Sequence, residues 1–390
     1  MALDILTQIE KLEGKLIGLR RHLHENPELS GFEFKTLELI RNRLTELGIS
    51  FIECPAGGIL GFVENGNSGR TVLLRGDMDA LPVMESAMNL CREKTIVSRV
   101  EGVSHTCGHD AHTASMLIVA EILWNNRERI DGKVILCFER AEENGGPDKK
   151  HGARTLLSFF EEQNWRIDSC FAIHVNPGIK SGMISANEGA VMAGGGAFKV
   201  KLIGNSGHGA RPDRANHPLD CFVVFYQWLT EFRLKHASPF TPLTISVPMV
   251  NAGTQRNVID EELTFAGTVR FFRPEVGETF EREFRHALEH IAAAYHCEYE
   301  VEILFTVEPV VNDEKSSRIA REAVVKYIGE EHLTASEPLM ASEPMGLYFS
   351  RYTGALAFLG IRNDTYGSGA ELHNARFDID ETALKYGVAT

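Results

Sequence analysis

The sequence has 390 residues, of which 43% are hydrophobic and 24% are charged, and its formal net charge is −14 at pH 7. This length exceeds what one hydrophobic core usually supports, so we expect two domains. The acidic balance argues against nucleic acid or an anionic membrane as a partner, and no segment approaches the ~20 apolar residues of a membrane span.

The amino-terminal segment is predicted to form an amphipathic helix. Apolar residues recur on one face at helical spacing, namely Ile5, Ile9, Leu12, Leu16 and Leu19. The segment lacks the apolar core and the cleavage site of a secretory signal. The seven cysteines are odd in number and scattered. We therefore interpret all of them except Cys107 as reduced thiols and expect a cytoplasmic protein.

Strand and helix patterns alternate through the first half of the chain, which predicts an α/β layer structure. Apolar strands that run into acidic residues or histidine are expected within 70–83, 132–143 and 168–177, with a helix at 114–124. In open α/β sheets, ligands bind beyond the carboxyl ends of the strands. The acidic and histidine residues of these segments therefore mark the expected site.

The pattern changes after residue 193. The order strand, helix, strand, strand, helix, strand is expected at 198–203, 217–235, 243–250, 262–272, 277–295 and 298–305. This βαββαβ order is typical of a ferredoxin-like sandwich. The earlier pattern then resumes, so we predict a discontinuous domain of residues 1–193 and 306–390 with residues 194–305 inserted into it.

A cysteine and a histidine flank Gly108 in the segment SHTCGHDAHTA, residues 104–114. Thiolate and imidazole together suit zinc or another borderline divalent metal. Taken alone, Cys107 and His109 are more typical of a buried thiol beside a surface histidine. The other strand ends favour the metal site, because they also carry acidic and histidine residues: Asp77, Asp79, Glu142, Glu143 and His174, with His373 in a later polar loop.

The adjacent residues Glu142 and Glu143 are the most informative pair. Neighbouring side chains at a strand end diverge, so one carboxylate can bind a metal while the other faces the water on that metal. A metal lowers the pKa of such a water to roughly 7 and polarises a carbonyl, and a free carboxylate removes the proton. This combination suits amide hydrolysis, although two glutamates before a glycine turn also have a purely structural interpretation.

Three residues of the inserted segment are candidates for the same site. His208 lies between glycines in GNSGHGARPD, which is typical of a loop surface residue and also of an electrophile that stabilises an oxyanion. Asn257 in TQRNVID can assist it. Arg270 in GTVRFF offers a fork for a substrate carboxylate, with an internal salt bridge as the structural alternative.

Several segments together resemble the M20 metallopeptidase/amidohydrolase family, in particular its branch of bacterial N-acyl-amino-acid amidohydrolases, hippurate hydrolases and plant auxin-conjugate hydrolases. They occur in the family's order from near residue 19 to the end: LRRHLHENPELSGFEFKT, GDMDALPV, SHTCGHDAHTA, AEE, AIHVNP, GHGARPD, RNVID, GTVRFF and LHNARFDIDETAL. The resemblance implies a metal-dependent hydrolase domain with a central mixed sheet flanked by helices, plus an inserted ferredoxin-like lid and dimerisation domain.

The resemblance also implies roles at the matching positions. A site for two divalent ions (zinc, manganese, cobalt or nickel) would have as ligands Cys107, His109, Glu143, His174 and His373. Glu142 would be the general base, and Asp79 would orient a ligand. Asp77 stands where the wider family has a histidine ligand. A histidine like His208 reaches the active site of the partner subunit in the family, which implies a homodimer formed through the inserted domain.

The activity implied by the resemblance is hydrolysis of a small N-acyl amino acid to a carboxylic acid and an amino acid. One alternative is a dipeptidase or aminopeptidase of the same family, which needs an acidic anchor for a free α-amino group. Another is a catalytically silent protein that binds amino-acid conjugates, which the intact Glu142 argues against. Two positions depart from the branch's pattern: Arg140 replaces a proline, and Pro344 replaces the aspartate of a Glu-Asp-Phe motif near the expected acyl pocket.

Overall fold

The structure is a computed structural model that describes residues 5–66, 69–143 and 151–390. The predicted first domain also covers residues 1–4, 67–68 and 144–150, which lie outside the described residues. The α-helices are α1 (Ile5–Glu25), α2 (Phe34–Leu47), α3 (His109–Asn125), α4 (Gly152–Glu162), α5 (Pro218–Lys235), α6 (Pro274–Ala294), α7 (Glu314–Tyr327), α8 (Met345–Phe349) and α9 (Leu384–Ala389). None of the described helices has both the length and the apolar character that crossing a membrane requires.

The strands are distributed along the whole chain. In chain order they are β1 (Ser50–Cys54), β2 (Gly58–Asn65), β3 (Arg70–Asp77), β4 (Gly132–Glu139), β5 (Ser169–Lys180), β6 (Ile184–Ser185), β7 (Gly189–Met192), β8 (Gly194–Ile203), β9 (Gly207–His208), β10 (Leu243–Ala252), β11 (Val258–Ile259), β12 (Glu262–Phe271), β13 (Glu298–Val307), β14 (Val310–Asn312), β15 (Leu333–Thr334) and β16 (Gly354–Arg362).

The chain divides into two compact units. The first consists of Met1–Gly189, Asn312–Glu337 and Leu347–Thr390, and the second of Ala190–Val311 and Pro338–Gly346. The late segment belongs to the second unit because its backbone pairs there: the amide of Leu339 donates to the carbonyl of Val191 at 2.9 Å, and Ala193 donates to Leu339 at 3.0 Å.

A mixed eight-stranded sheet in the order β1-β2-β4-β3-β5-β16-β6-β15 forms the centre of the first unit. β4, β3, β5 and β16 pair in parallel. β16, with the sequence GALAFLGIR, is buried along all but its last residue, as expected for a parallel strand covered on both faces. Side chains of α1, α3, α7 and α9 share one apolar cluster with β5 and β16. The predicted α/β fold class is confirmed.

Helix α3 is buried from His109 to Ile118, and its apolar residues belong to two apolar clusters of the first unit. Gly108, directly before it, has a φ of 86°. A Cβ atom at Gly108 would lie 2.4 Å from Cγ2 of Val175 on β5. Only glycine allows this close approach, so Gly108 fixes the start of α3 against the sheet.

The second unit has an antiparallel sheet in the order β10-β12-β8-β13. In chain order its main elements run β8-α5-β10-β12-α6-β13, a βαββαβ arrangement. Burial alternates strictly along β12, as in a strand with one covered and one open face. An aromatic cluster from the strands and helices fills the covered side, including Phe198, Phe225, Phe265, Phe280 and Phe284.

Candidate metal centre

The parallel strands bring polar side chains to one edge of the large sheet. β3 ends at Asp77 and β4 at Glu139, and these two residues lie opposite each other. β5 pairs with β3 as far as Ala172, opposite Arg75, and the same register places His174 beside Asp77 at the end of β3. The strand expected to end at His174 continues to Lys180, because β16 pairs with it further along the other side.

Donor atoms converge here in three groups, each with its atoms within 4.8 Å of one another, and two of the groups share His109: Cys107, Glu143 and His373; Asp79, His109 and Glu142; and Asp77, His109, His112 and His174. Sγ of Cys107 lies 3.7 Å from Nε2 of His174. Nε2 of His109 lies 3.8 Å from a carboxylate oxygen of Glu142 and 3.8 Å from one of Glu143. The structure therefore brings together all five residues expected to bind metal, and Glu142 with them.

The chemistry of this donor set fits divalent metal ions. Thiolate, imidazole and carboxylate are the groups that bind zinc and the neighbouring transition metals. Nε2 of His109 is buried and makes no hydrogen bond within the described residues, while Nδ1 lies 3.2 Å from Asp79. A histidine held by a carboxylate at one nitrogen, with the other facing further donors, is typical of a metal ligand.

The charges of the cluster shift the pKa values of its members. Burial alone lowers the pKa of His109, but Asp77, Cys107 and Asp79 outweigh burial and raise this pKa well above its usual value. Burial and the nearby Glu143 raise the pKa of the Cys107 thiol. The shift of His109 reflects crowded acidic groups whose charge a divalent cation would neutralise. Because metals bind the thiolate and the neutral imidazole, binding would release protons.

Asp79 connects several parts of the centre. Its Oδ1 faces Nδ1 of His109, and its Oδ2 accepts hydrogen bonds from the amide of Glu143 at 3.0 Å and from the Ser30 hydroxyl. Burial favours the neutral carboxyl, but these contacts outweigh it and lower the pKa of Asp79. A charged carboxylate bonded on both sides can hold a ligand in one orientation.

His373 reaches the cluster from the loop after β16. Its φ is 64°, in the left-handed region, and its amide donates to the carbonyl of Thr106 at 2.8 Å. Nε2 of His373 lies 3.2 Å from Glu143, and the side chain is 52% exposed. The hydrogen bond to Glu143 raises the pKa of His373. The cluster is thus open to solvent on the His373 side.

His112 lies in the cluster, although no role was predicted for it. Its Nδ1 donates to Oδ1 of Asp77 at 2.6 Å, and its Nε2 accepts a hydrogen bond from the amide of Val175 at 3.0 Å. With both nitrogens engaged, His112 has no lone pair for a metal. Its ring packs against that of His174, with centroids 4.5 Å apart, so it supports His174. The sequence signal for His112 is its position three residues after His109, which places both side chains on one face of α3.

The second unit carries the other three candidate residues. His208 on β9 lies opposite Val258 on β11, and the carbonyl of Asn257 accepts a hydrogen bond from the amide of Gly209 at 2.9 Å. His208 and Asn257 are therefore neighbours, and both are exposed. Arg270 lies elsewhere, on β12.

A buried set of thiol, imidazole and carboxylate groups at the carboxyl edge of an α/β sheet is the arrangement of a metal-dependent hydrolase. The chain belongs to peptidase family M20/M25/M40, whose profile matches residues 73–390. The family predicted from the sequence segments is confirmed, and the protein is a hydrolase of this family.

Relatives of known name span nearly the whole chain. Thermostable carboxypeptidase 2 of Saccharolobus solfataricus is 31% identical over 384 residues, covering 97% of this chain and 94% of the relative. N-acetyl-L-cysteine deacetylase of Bacillus subtilis is 32% identical over 393 residues, covering 98% and 89%. A solved dinuclear metal-binding peptidase of the M20 family from Bacillus subtilis matches with a TM-score of 0.81 and 28% identity, over 97% of each chain.

Proposed function

We propose that the protein is a dinuclear-metal amidohydrolase that cleaves the amide bond of an N-acyl amino acid. The observation that carries this proposal is the approach of Glu142 and Glu143 to His109 within a cluster of thiol and imidazole donors. The deacetylase relative, whose name specifies an N-acyl amino acid, supports the substrate class. The free state of all seven cysteines fits a cytoplasmic location.

Each member of the cluster has a proposed role. Two divalent ions, drawn from zinc, manganese, cobalt and nickel, would be held by Cys107, His109, Glu143, His174 and His373. When bound, such ions make water more acidic and polarise the amide carbonyl. Glu142 takes the proton from the attacking water and passes it to the leaving amine. His208, with Asn257 beside it, stabilises the oxyanion that develops on the substrate.

Cys107→Ser is expected to weaken metal binding strongly. Loss of a group that only orients a ligand typically costs 10–100-fold in metal affinity, so loss of the thiolate itself should cost about 100-fold or more, with activity lost in parallel. Competition with a metal-binding dye measures the affinity. Cys54→Ser, at a buried thiol on β1, is the matched control. Wild-type affinity in the Cys107 variant would contradict its role as a ligand.

Arg270 is proposed to bind the substrate's free carboxylate. Its guanidinium is half-buried and donates to the carbonyl oxygens of Gly196 at 3.3 Å and Val269 at 3.0 Å. Burial lowers its pKa, and within 5–66, 69–143 and 151–390 the guanidinium of Arg270 bonds to these backbone carbonyls and forms no ion pair with an acidic side chain. The internal salt bridge considered as the alternative therefore has no partner there, which supports the substrate role.

Arg270→Ala is expected to raise KM for N-acyl amino acids by about 10–100-fold with a smaller change in kcat. A hydrogen bond to a charged group contributes about 1.5–3 kcal/mol, and a contact made equally in ground and transition states appears in KM. Lys199→Ala, an exposed cation on β8, serves as the control. An equal loss with a substrate amidated at the α-carboxylate would refute the pairing.

The carboxypeptidase relative supports a second candidate, peptidase activity. A dipeptide offers the same amide and terminal carboxylate as an N-acyl amino acid, but it adds a free α-amino group. The two candidate activities are distinguished by kcat/KM, measured with each metal in turn. The comparison is between N-acetyl, N-benzoyl and indole-acyl amino acids on one side and dipeptides on the other. Higher values for the dipeptides would overturn the proposed substrate class.

We further propose that the protein forms a homodimer through its second unit. Leu219, Val223 and Tyr226 on α5 are exposed at helical spacing on one face. β10 is an edge strand of the antiparallel sheet and exposes Met249 and Val250. An apolar helix face together with an unpaired strand edge can pair with a second copy about a two-fold axis.

A further inference from the structure

Glu33, at the start of α2, is fully buried at 0% exposure. Its carboxylate accepts hydrogen bonds from the amide of Gly31, from the amide of Ala141 and from Nε of Arg140, each at 2.8 Å. Nη2 of Arg140 also donates to the carbonyl of Gly31 at 2.7 Å. A buried carboxyl group needs such hydrogen-bond partners, so these contacts hold the two segments in one arrangement.

The residue held by Glu33 has an unusual backbone. Ala141 has a φ of 51°, in the left-handed region that disfavours a residue with a Cβ atom. Such conformations persist only where surrounding contacts enforce them, and they cluster at functional sites. Ala141 directly precedes Glu142, so its dihedral angles determine where the Glu142 side chain points.

The segment 30–33 also contacts Asp79, which holds the backbone after Glu142. The hydroxyl of Ser30 donates to Oδ2 of Asp79, which accepts the amide of Glu143. The amides before and after Glu142 are thus each held by a buried carboxylate, one from Glu33 and one from Asp79. Both carboxylates contact the segment 30–33.

We propose that the segment 30–33 positions Glu142, with Glu33 as the positioning residue that sets the direction of its side chain. This inference rests on the proposed role of Glu142 as the base. Glu33 itself would not touch the substrate, because within the described residues its buried carboxylate accepts its hydrogen bonds from Gly31 and from the turn before Glu142.

Glu33→Ala is expected to lower kcat by about 10–100-fold with little change in KM, because small displacements of a catalytic group cost up to about 10²-fold. Metal stoichiometry and affinity, measured by binding titration, should stay at wild-type values, because Asp79 still holds Glu143. Glu33→Gln keeps an acceptor for the amide of Ala141, so its kcat should fall less. This variant serves as the test if the alanine variant does not fold. The control is Asp313→Ala. This change removes the hydrogen bond that the Asp313 side chain accepts from the amide of Ser316 at the start of α7, so it should lower stability and leave kcat unchanged.

A second measurement distinguishes the loss of Glu142 positioning from a general loss of activity. In a Glu142→Gln background, Glu33→Ala should not reduce the residual rate further, since it acts only through Glu142. A further loss by the same factor as in the wild type would overturn the inference, as would metal loss in the single variant. A wild-type kcat in Glu142→Gln would instead refute the proposed base. If Glu142→Gln is inactive but folded Glu33→Ala is fully active, the inference is wrong and the proposed function stands.

Discussion

Glu142→Gln is expected to lower kcat by about 10²–10⁴-fold, the usual contribution of a proton-transfer group, while metal content stays at the wild-type level. The amide cannot take a proton from water at neutral pH, yet it has nearly the size of the carboxylate. Glu142 is buried, so a near-isosteric change also leaves the packing of the turn intact. Steady-state kinetics and metal analysis on the same preparation test both halves of the prediction.

The neighbouring glutamate provides the matched comparison. Glu143→Gln should lose metal as well as activity, because Glu143 lies with Cys107 and His373 in the donor cluster and a neutral amide is a poorer ligand. The two variants change the same chemical group one residue apart. Metal loss in Glu142→Gln with retention in Glu143→Gln would mean that the two roles are reversed.

His208→Ala is expected to lower kcat by about 10²–10³-fold, the typical effect of removing one oxyanion donor. Nδ1 of His208 accepts a hydrogen bond from the amide of Ala210 at 3.0 Å. In the neutral ring the proton is then on Nε2, which is free to donate to a substrate oxygen. His290→Ala, at an exposed histidine on α6, is the control and should behave as wild type.

Subunit mixing tests which copy supplies the histidine. If His208 acts in the partner's site, a heterodimer of Glu142→Gln and His208→Ala subunits has one site with both groups intact. Mixing two inactive preparations should therefore restore activity, up to about half of the wild-type value per heterodimer. If a labelled-subunit assay shows exchange and no activity returns, His208 acts within its own chain or has no catalytic role.

The sequence could predict that the proposed metal ligands lie close together, because each is next to a strong local signal. Cys107 and His109 flank a glycine before an apolar helix, and Glu142 and Glu143 follow an apolar strand. Parallel strands end at a common edge, so these local patterns predict a shared location. The assignment of β5 was less accurate, since its continuation beyond His174 depends on pairing with β16, which is far away in sequence.

The supporting contacts could not be predicted in this way. Glu33 and Ala141 are 108 residues apart, and nothing in either local pattern indicates their contact. The paired nitrogens of His112 depend on Asp77 and on the backbone of β5. Such contacts follow from the packing of distant elements, whereas periodicity and turn signals report only on the local chain.

The proposed metal ligands differ in their exposure to solvent. His109 is fully buried, whereas His373 is half-exposed. In the proposed dinuclear site, water and competing chelators would therefore reach an ion beside His373 first, and that ion would exchange with the medium sooner than one deeper in the cluster. The proposed ion beside His373 would therefore be the first to be lost on dialysis against a chelator, and the first to be replaced when another divalent metal is supplied.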